Sequence, residues 1–162
     1  LYLETLETQR RLYGSDDEDT LRTACGLAEL RLLQGRPELA RSIVEEQLET
    51  RIRDRGEGHP DTLQAFSVLI GASLQQHQAP RALELAERSV AAGVESLGAD
   101  HPAVLRLVLD RARALAALRR PAEAAELAQR VHRMRLRRLG ARHPATREAA
   151  DLLGELRSLP VD

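Results

Sequence analysis

A five-residue pattern recurs through this chain at a fixed interval. Gly56-Glu57-Gly58-His59-Pro60, Gly98-Ala99-Asp100-His101-Pro102 and Gly140-Ala141-Arg142-His143-Pro144 stand 42 residues apart. One period earlier Gly14 keeps the glycine, and Asp17-Glu18 stand where His-Pro would be. A period of this size marks a repeat array. Each unit is too small to bury its own apolar face, and stacking on its neighbours supplies the cover.

The spacing inside each period is helical. Residues 1–13 read as one helix, stopped by Gly14. Helices are then expected over 18–34 and 37–53, 60–76 and 79–97, and 102–118 and 121–139. A last helix covers 144 to about 159, closed by Pro160. The units are a half repeat (1–14), three full repeats (15–56, 57–98, 99–140) and a capping helix (141–162). Ala40, Ala82 and Ala124 share one column, as do Ile43, Leu85 and Leu127. Leu27, Leu69 and Leu153 form another, flanked by the small or apolar Ala28, Ile70, Ala112 and Gly154. The expected fold is all-α: an α-solenoid of antiparallel helix pairs, with about eight helices.

Composition agrees. Hydrophobic residues make up 43% but aromatics only 2%, so Leu, Ala, Val and Ile must build the core. That favours close-packed helices over sheet. A net charge of −1 gives no bulk attraction for nucleic acid or anionic membrane. Lys, Asn and Trp are absent, and the lack of Lys beside abundant Arg and Ala reads as a GC-rich genome. The single Cys25 excludes an intrachain disulfide or a multi-thiolate metal site and points to a reducing, cytoplasmic setting. No apolar run is long enough to span a bilayer. The chain opens in mid-pattern at Leu1 and is expected to belong to a longer protein.

Leu27-Ala28, Leu153-Gly154, the Gly35-Arg36 turn and the alanine column resemble the tetratricopeptide repeat. The 42-residue period and the linkers Leu97-Gly98-Ala99-Asp100-His101-Pro102 and Arg55-Gly56-Glu57-Gly58-His59-Pro60-Asp61-Thr62-Leu63 resemble its kinesin-light-chain-like subclass, here in the style of large bacterial regulators. The resemblance implies a right-handed superhelix whose first helices line a concave groove for a peptide or protein segment. It places in that groove Arg22, Cys25 and Glu29; Gln64, Ser67 and Gly71; Arg106, Leu109 and Arg113; and Glu148, Asp151 and Glu155. The usual asparagine column holds Gly26, Val68, Asp110 and Leu152, and lysine is absent, which argues against a receptor for chain-terminal carboxylates. Arg111 breaks the leucine column and is expected either to snorkel or to reach a binding surface.

Nothing reads as catalytic and no cofactor or metal is expected. The three His-Pro histidines lie a whole repeat apart, too far to share one zinc ion. Thr20, Thr62 and Thr146 are expected to satisfy free amides at the helix starts. Asp16 to Asp19 read as acids favouring a helix N-terminus, with a docking site for a basic partner as the alternative. Cys25 reads as a small semi-buried side chain, with a thiol activated by Arg22 as the alternative. Arg130 to Arg142 is the most basic stretch. Its arginines are expected to go round the helix and no aromatic is interleaved, so a solvated face is favoured over nucleic acid or an acidic partner.

The expected function is non-enzymatic: a scaffold holding a protein segment and regulating a larger protein. The expected segment puts an apolar anchor near Gly71 and Leu109 and acidic residues toward Arg106 and Arg113. The alternatives are a structural module packing on other domains of its own chain, weak head-to-tail self-association, and nucleic-acid binding.

Overall fold

The computed structural model describes residues 2–15 and 17–158. Expectations resting on Leu1, Asp16, Leu159, Pro160 and the side chain of Tyr2 lie outside what is described. Within these residues the chain forms eight helices and no strand: α1 (Tyr2–Tyr13), α2 (Glu18–Leu33), α3 (Pro37–Arg55), α4 (Pro60–Gln75), α5 (Ala79–Leu97), α6 (Pro102–Ala117), α7 (Pro121–Leu139) and α8 (Pro144–Ser158). The all-α expectation holds. The ends differ by a residue or two. α3 runs on to Arg55 because Gly56, at φ +86°, is the first residue able to leave the helix cheaply.

Each helix packs on the next, and α2, α4 and α6 also pack side by side in one layer. α2, α4 and α6 therefore form one layer, linked to α8 by the Arg113–Glu148 ion pair, and the odd-numbered helices pack against this even-numbered layer. The alanine column sits between the layers: Ala40, Ala82 and Ala124 are each 0% exposed, which lets helix backbones approach closely. The core is continuous, because Leu48, Leu83, Leu85 and Val108 each pack against two neighbouring apolar clusters.

The turn between the two helices of a repeat needs a left-handed residue. Gly35 supplies it at φ +66°; one and two periods on, His77 and Arg119 adopt φ +57° and +61° without glycine's freedom. The same bond closes each turn: Arg36, Gln78 and Arg120 donate their N–H to the carbonyls of Arg31, Ser73 and Leu115.

The linkers correct one expectation. The amides at the helix starts are satisfied by histidine, not threonine. Nδ1 of His59, His101 and His143 accepts the N–H of Asp61, Ala103 and Ala145 at 3.3, 3.2 and 3.2 Å. Asp17, at the equivalent position, accepts from Asp19 and Thr20 at 3.1 and 3.2 Å. The hydroxyls of Thr62 and Thr146 are buried and have no hydrogen-bond partner among the described residues.

Two buried arginines were not anticipated. Arg51, 1% exposed, donates to the carbonyls of Leu21 (2.7 Å) and Asp61 (2.9 Å) and to Cys25 Sγ (3.3 Å). Arg135, two periods on, donates to the Ala145 carbonyl at 2.7 Å and to Glu148 at 3.0 Å. Each ties an odd helix to the first turn of the following even helix. Gly93 holds the position between them. A Cβ there would lie 2.9 Å from both Leu63 Cδ1 and Val104 Cγ2, so side-chain methyls close this joint.

At the far end α8 turns a polar face outward. Arg147 is exposed where Leu21, Leu63 and Leu105 are buried. A Cβ on Gly154 would meet nothing within 4 Å, where Ala28, Ile70 and Ala112 are fully buried.

Candidate functional site

The candidate groove residues lie on the even layer, and one spacing organises them. The third member of each trio faces the first member of the next trio, 35 residues on. Gln64 donates to Glu29 at 3.4 Å, and Arg113 donates to Glu148 at 2.8 Å. The middle rung would join Gly71 to Arg106, and glycine offers no side chain. Arg106 instead lies across α4, donating to Ser67 Oγ at 3.0 Å and to Glu29 of α2 at 2.9 Å.

The C-terminal half is held by a denser network. Ser67 donates to Asp110 at 2.6 Å, Arg113 donates to Asp110 at 2.8 Å, and Glu148 also accepts from the buried Arg135. Burial pushes the Asp110 carboxyl above its ordinary value, against the opposing pull of Ser67 and Arg113. Burial also acts to raise Glu148, but the hydrogen bonds from Arg113 and Arg135 outweigh it and hold Glu148 low. Arg113 is raised: burial lowers it, and the bond to Glu148 with the charge of Asp110 more than compensates.

Several candidates sit elsewhere than expected. Cys25 and Leu109 are each 0% exposed and line no groove; the packed neighbouring helices cover that column. Cys25 is no activated thiol, since burial raises it and the nearby guanidinium of Arg51 only partly offsets this. Arg22 is instead engaged by Glu18 and Asp19, at 2.6 and 2.9 Å. Gly71 is no open seat for an apolar anchor, because a Cβ there would already meet Leu32 Cδ1 at 3.0 Å. Arg111 reaches out to Glu87 of α5 at 3.0 Å. Asp151 and Glu155 are exposed on α8.

Two clefts open along this layer. One, of about 490 Å³, lies between Arg113 and the Pro144, Arg147, Asp151 and Glu155 face of α8. The other, of about 310 Å³, is bounded by Pro60, Gln64, Pro102 and Arg106.

The odd layer carries a different surface. Arg81 and Glu45 pair at 3.3 Å between α5 and α3. One period earlier the same two positions are Leu39 and Leu3, which are 46% and 50% exposed. They rim a cleft of about 320 Å³ floored by Leu6, Leu27 and Ile43. In α7 the basic stretch divides by role: Arg135 is buried, Arg138 pairs with Asp100 at 3.4 Å, and Arg130, Arg133 and Arg137 are exposed. Spacings of three and four place these last three on one stripe, while Arg135 and Arg138 lie on other sides, so that the set as a whole goes round the helix.

Residues 71–103 and 109–145 match the family model of the tetratricopeptide repeat. Among solved structures, the kinesin light chain nearly identical TPR-like repeats of Podosopora anserina superpose with a TM-score of 0.67 at 24% identity, covering 97% of this chain and 82% of that one. A single-substitution form of that protein gives a TM-score of 0.68 with the same identity and coverage. A search of the curated proteins finds no match. None of the described helices is long and apolar enough to cross a membrane.

Proposed function

We propose that the chain is an array of tetratricopeptide repeats of the kinesin-light-chain-like kind, a fold that generally mediates protein–protein interaction, and that its even-numbered layer is a concave groove holding a segment of a partner protein. The observation that carries this reading is Arg106. It is the one rung residue whose partner 35 residues back is glycine, and its pair with Glu29 is solvent-exposed on both sides, at 46% and 32%. An exposed pair of this kind is worth at most about 1 kcal/mol, so a carboxylate on an arriving segment can replace Glu29 at little loss. Arg113 is less available, because Asp110 and Glu148 both hold it. The expected acidic segment is thus directed at Arg106, with Gln64 and the cleft beside it as its surroundings. The apolar anchor expected at Gly71 and Leu109 has no seat there.

This reading makes the protein a non-enzymatic scaffold, and the regulatory, cytoplasmic role expected of it belongs to the same proposal. Selection of a random peptide library on the whole chain tests it. Selected peptides should be rich in Asp and Glu and perturb the NMR signals of Gln64, Arg106 and Arg113. Peptides perturbing only odd-layer residues would overturn it.

A second reading is favoured by one observation. The Leu3–Leu39 cleft replaces an ion pair with two exposed leucines, which suits packing against another domain or a second copy. Among the described residues the outward face of α8 is polar, so on this reading the apolar contact runs through the α1 end.

A further inference from the structure

Three helix starts in this chain depend on an uncharged histidine, and a fourth does not. His59, His101 and His143 accept a main-chain N–H through Nδ1 at the starts of α4, α6 and α8. A ring nitrogen accepts only while it carries a lone pair, so the proton must sit on Nε2. Protonation turns the acceptor into a second donor facing the amide. It also puts a positive charge at the positive end of the helix dipole. The start of α2 has the same backbone geometry, with Asp17 at φ −62°, ψ 143° against −67°, 140° for His59 and −66°, 138° for His101. Its acceptor is a carboxylate, which still accepts in mild acid.

The charged surroundings differ among the three. Asp61 Oδ2 lies 3.7 Å from His59 Nδ1 and is held by Arg55 of α3 at 2.9 Å, while Glu57 of the same linker is engaged by Arg88 of α5. Beside His101, Arg138 of α7 binds the carbonyl and the carboxylate of Asp100 at 3.0 and 3.4 Å. Beside His143 stands Arg142, and Arg135 of α7, with Glu148 against it, binds the Ala145 carbonyl. A protonated imidazole therefore finds a carboxylate at the first of these linkers and a surplus of arginine at the last.

We propose that the three histidine linkers are acid-sensitive joints: mild acid releases the starts of α4, α6 and α8 and leaves the start of α2 closed. Each linker connects an odd helix to the next even helix, so the response loosens three successive joints of the array. The alanine columns lie outside the linkers, so helix content is retained while the joints loosen.

Amide hydrogen exchange on the whole chain at about pH 7.5 and about pH 5.5, corrected for intrinsic exchange, tests this. The first turns of α4, α6 and α8 should lose about fivefold in protection relative to that of α2, the change a typical helix cap supplies. The variant H59D/H101D/H143D gives each linker the residue that α2 already uses, and the pH difference should vanish. An equal loss at α2 would overturn the proposal. So would an undiminished difference in the triple variant, which would place the response on carboxylates such as Asp110. Should the triple variant fail to fold, H143D alone carries the same test at α8.

Discussion

Arg106 of α6 passes over α4 to reach Glu29 of α2, 77 residues away, while Gly71, 35 residues back, offers it no side-chain partner. A single missing side chain thus converts a nearest-neighbour rung into a link across three even helices. Arg106 is also a cation easily diverted, because its pair with Glu29 is exposed. Charge reversal at Arg106 and Arg113 together should weaken binding of a library-selected acidic peptide by more than about 1 kcal/mol. Reversal of Arg106 alone should account for most of the loss. Titration calorimetry on the single and double variants reads both.

Two mid-helix glycines, one exposed and one buried, should respond with opposite sign. Gly154→Ala meets open space on an exposed helix and should stabilise by about 0.5–1 kcal/mol. Gly93→Ala drives a methyl to 2.9 Å from Leu63 and Val104 and should destabilise by about 1–3 kcal/mol. Chemical denaturation of the two variants compares them directly.

His77 and Arg119 hold the left-handed position that Gly35 occupies in the first repeat. Replacing each with glycine should raise stability by up to about 1 kcal/mol, since the side-chain clash with the preceding turn exceeds glycine's extra chain entropy. Thermal unfolding of the double variant checks this. An unchanged midpoint would mean that the two effects cancel.

Glu148 links Arg113 to the buried Arg135, and its folded-state value is depressed. Its contribution is therefore present above the ordinary carboxylate range and disappears as pH falls through the lowered value. Glu148→Ala should destabilise by about 1–2 kcal/mol at neutral pH, leaving Arg135 with only the Ala145 carbonyl. In acid the variant and the parent should converge. Denaturant titrations across the acid range follow that convergence.

The architecture was legible because it is written periodically. The Gly-x-x-His-Pro interval, the alanine column and the helical spacing report the same two-layer packing, and each repeat confirms the last. The polar site was less legible. A column position says which helix faces another, not which side chain reaches across. Cys25 and Leu109 are fully buried in a column that faces the neighbouring helix, a burial that the column carried over from the family resemblance did not convey. Arg51 and Arg135 were missed because arginine is ordinarily exposed. The sequence signal that could have exposed them is their shared column with Gly93, one period from each. A glycine in mid-helix between two arginines marks a crowded site.

That column also divides the array by material. The α3–α4 and α7–α8 joints are fastened by guanidinium groups on main-chain carbonyls, and the α5–α6 joint by the methyls of Leu63 and Val104 around Gly93. Apolar attraction weakens on cooling, whereas hydrogen bonds of this kind do not fade in the same way. The middle of the array should therefore become its most compliant hinge in the cold and grow relatively stiffer as temperature rises.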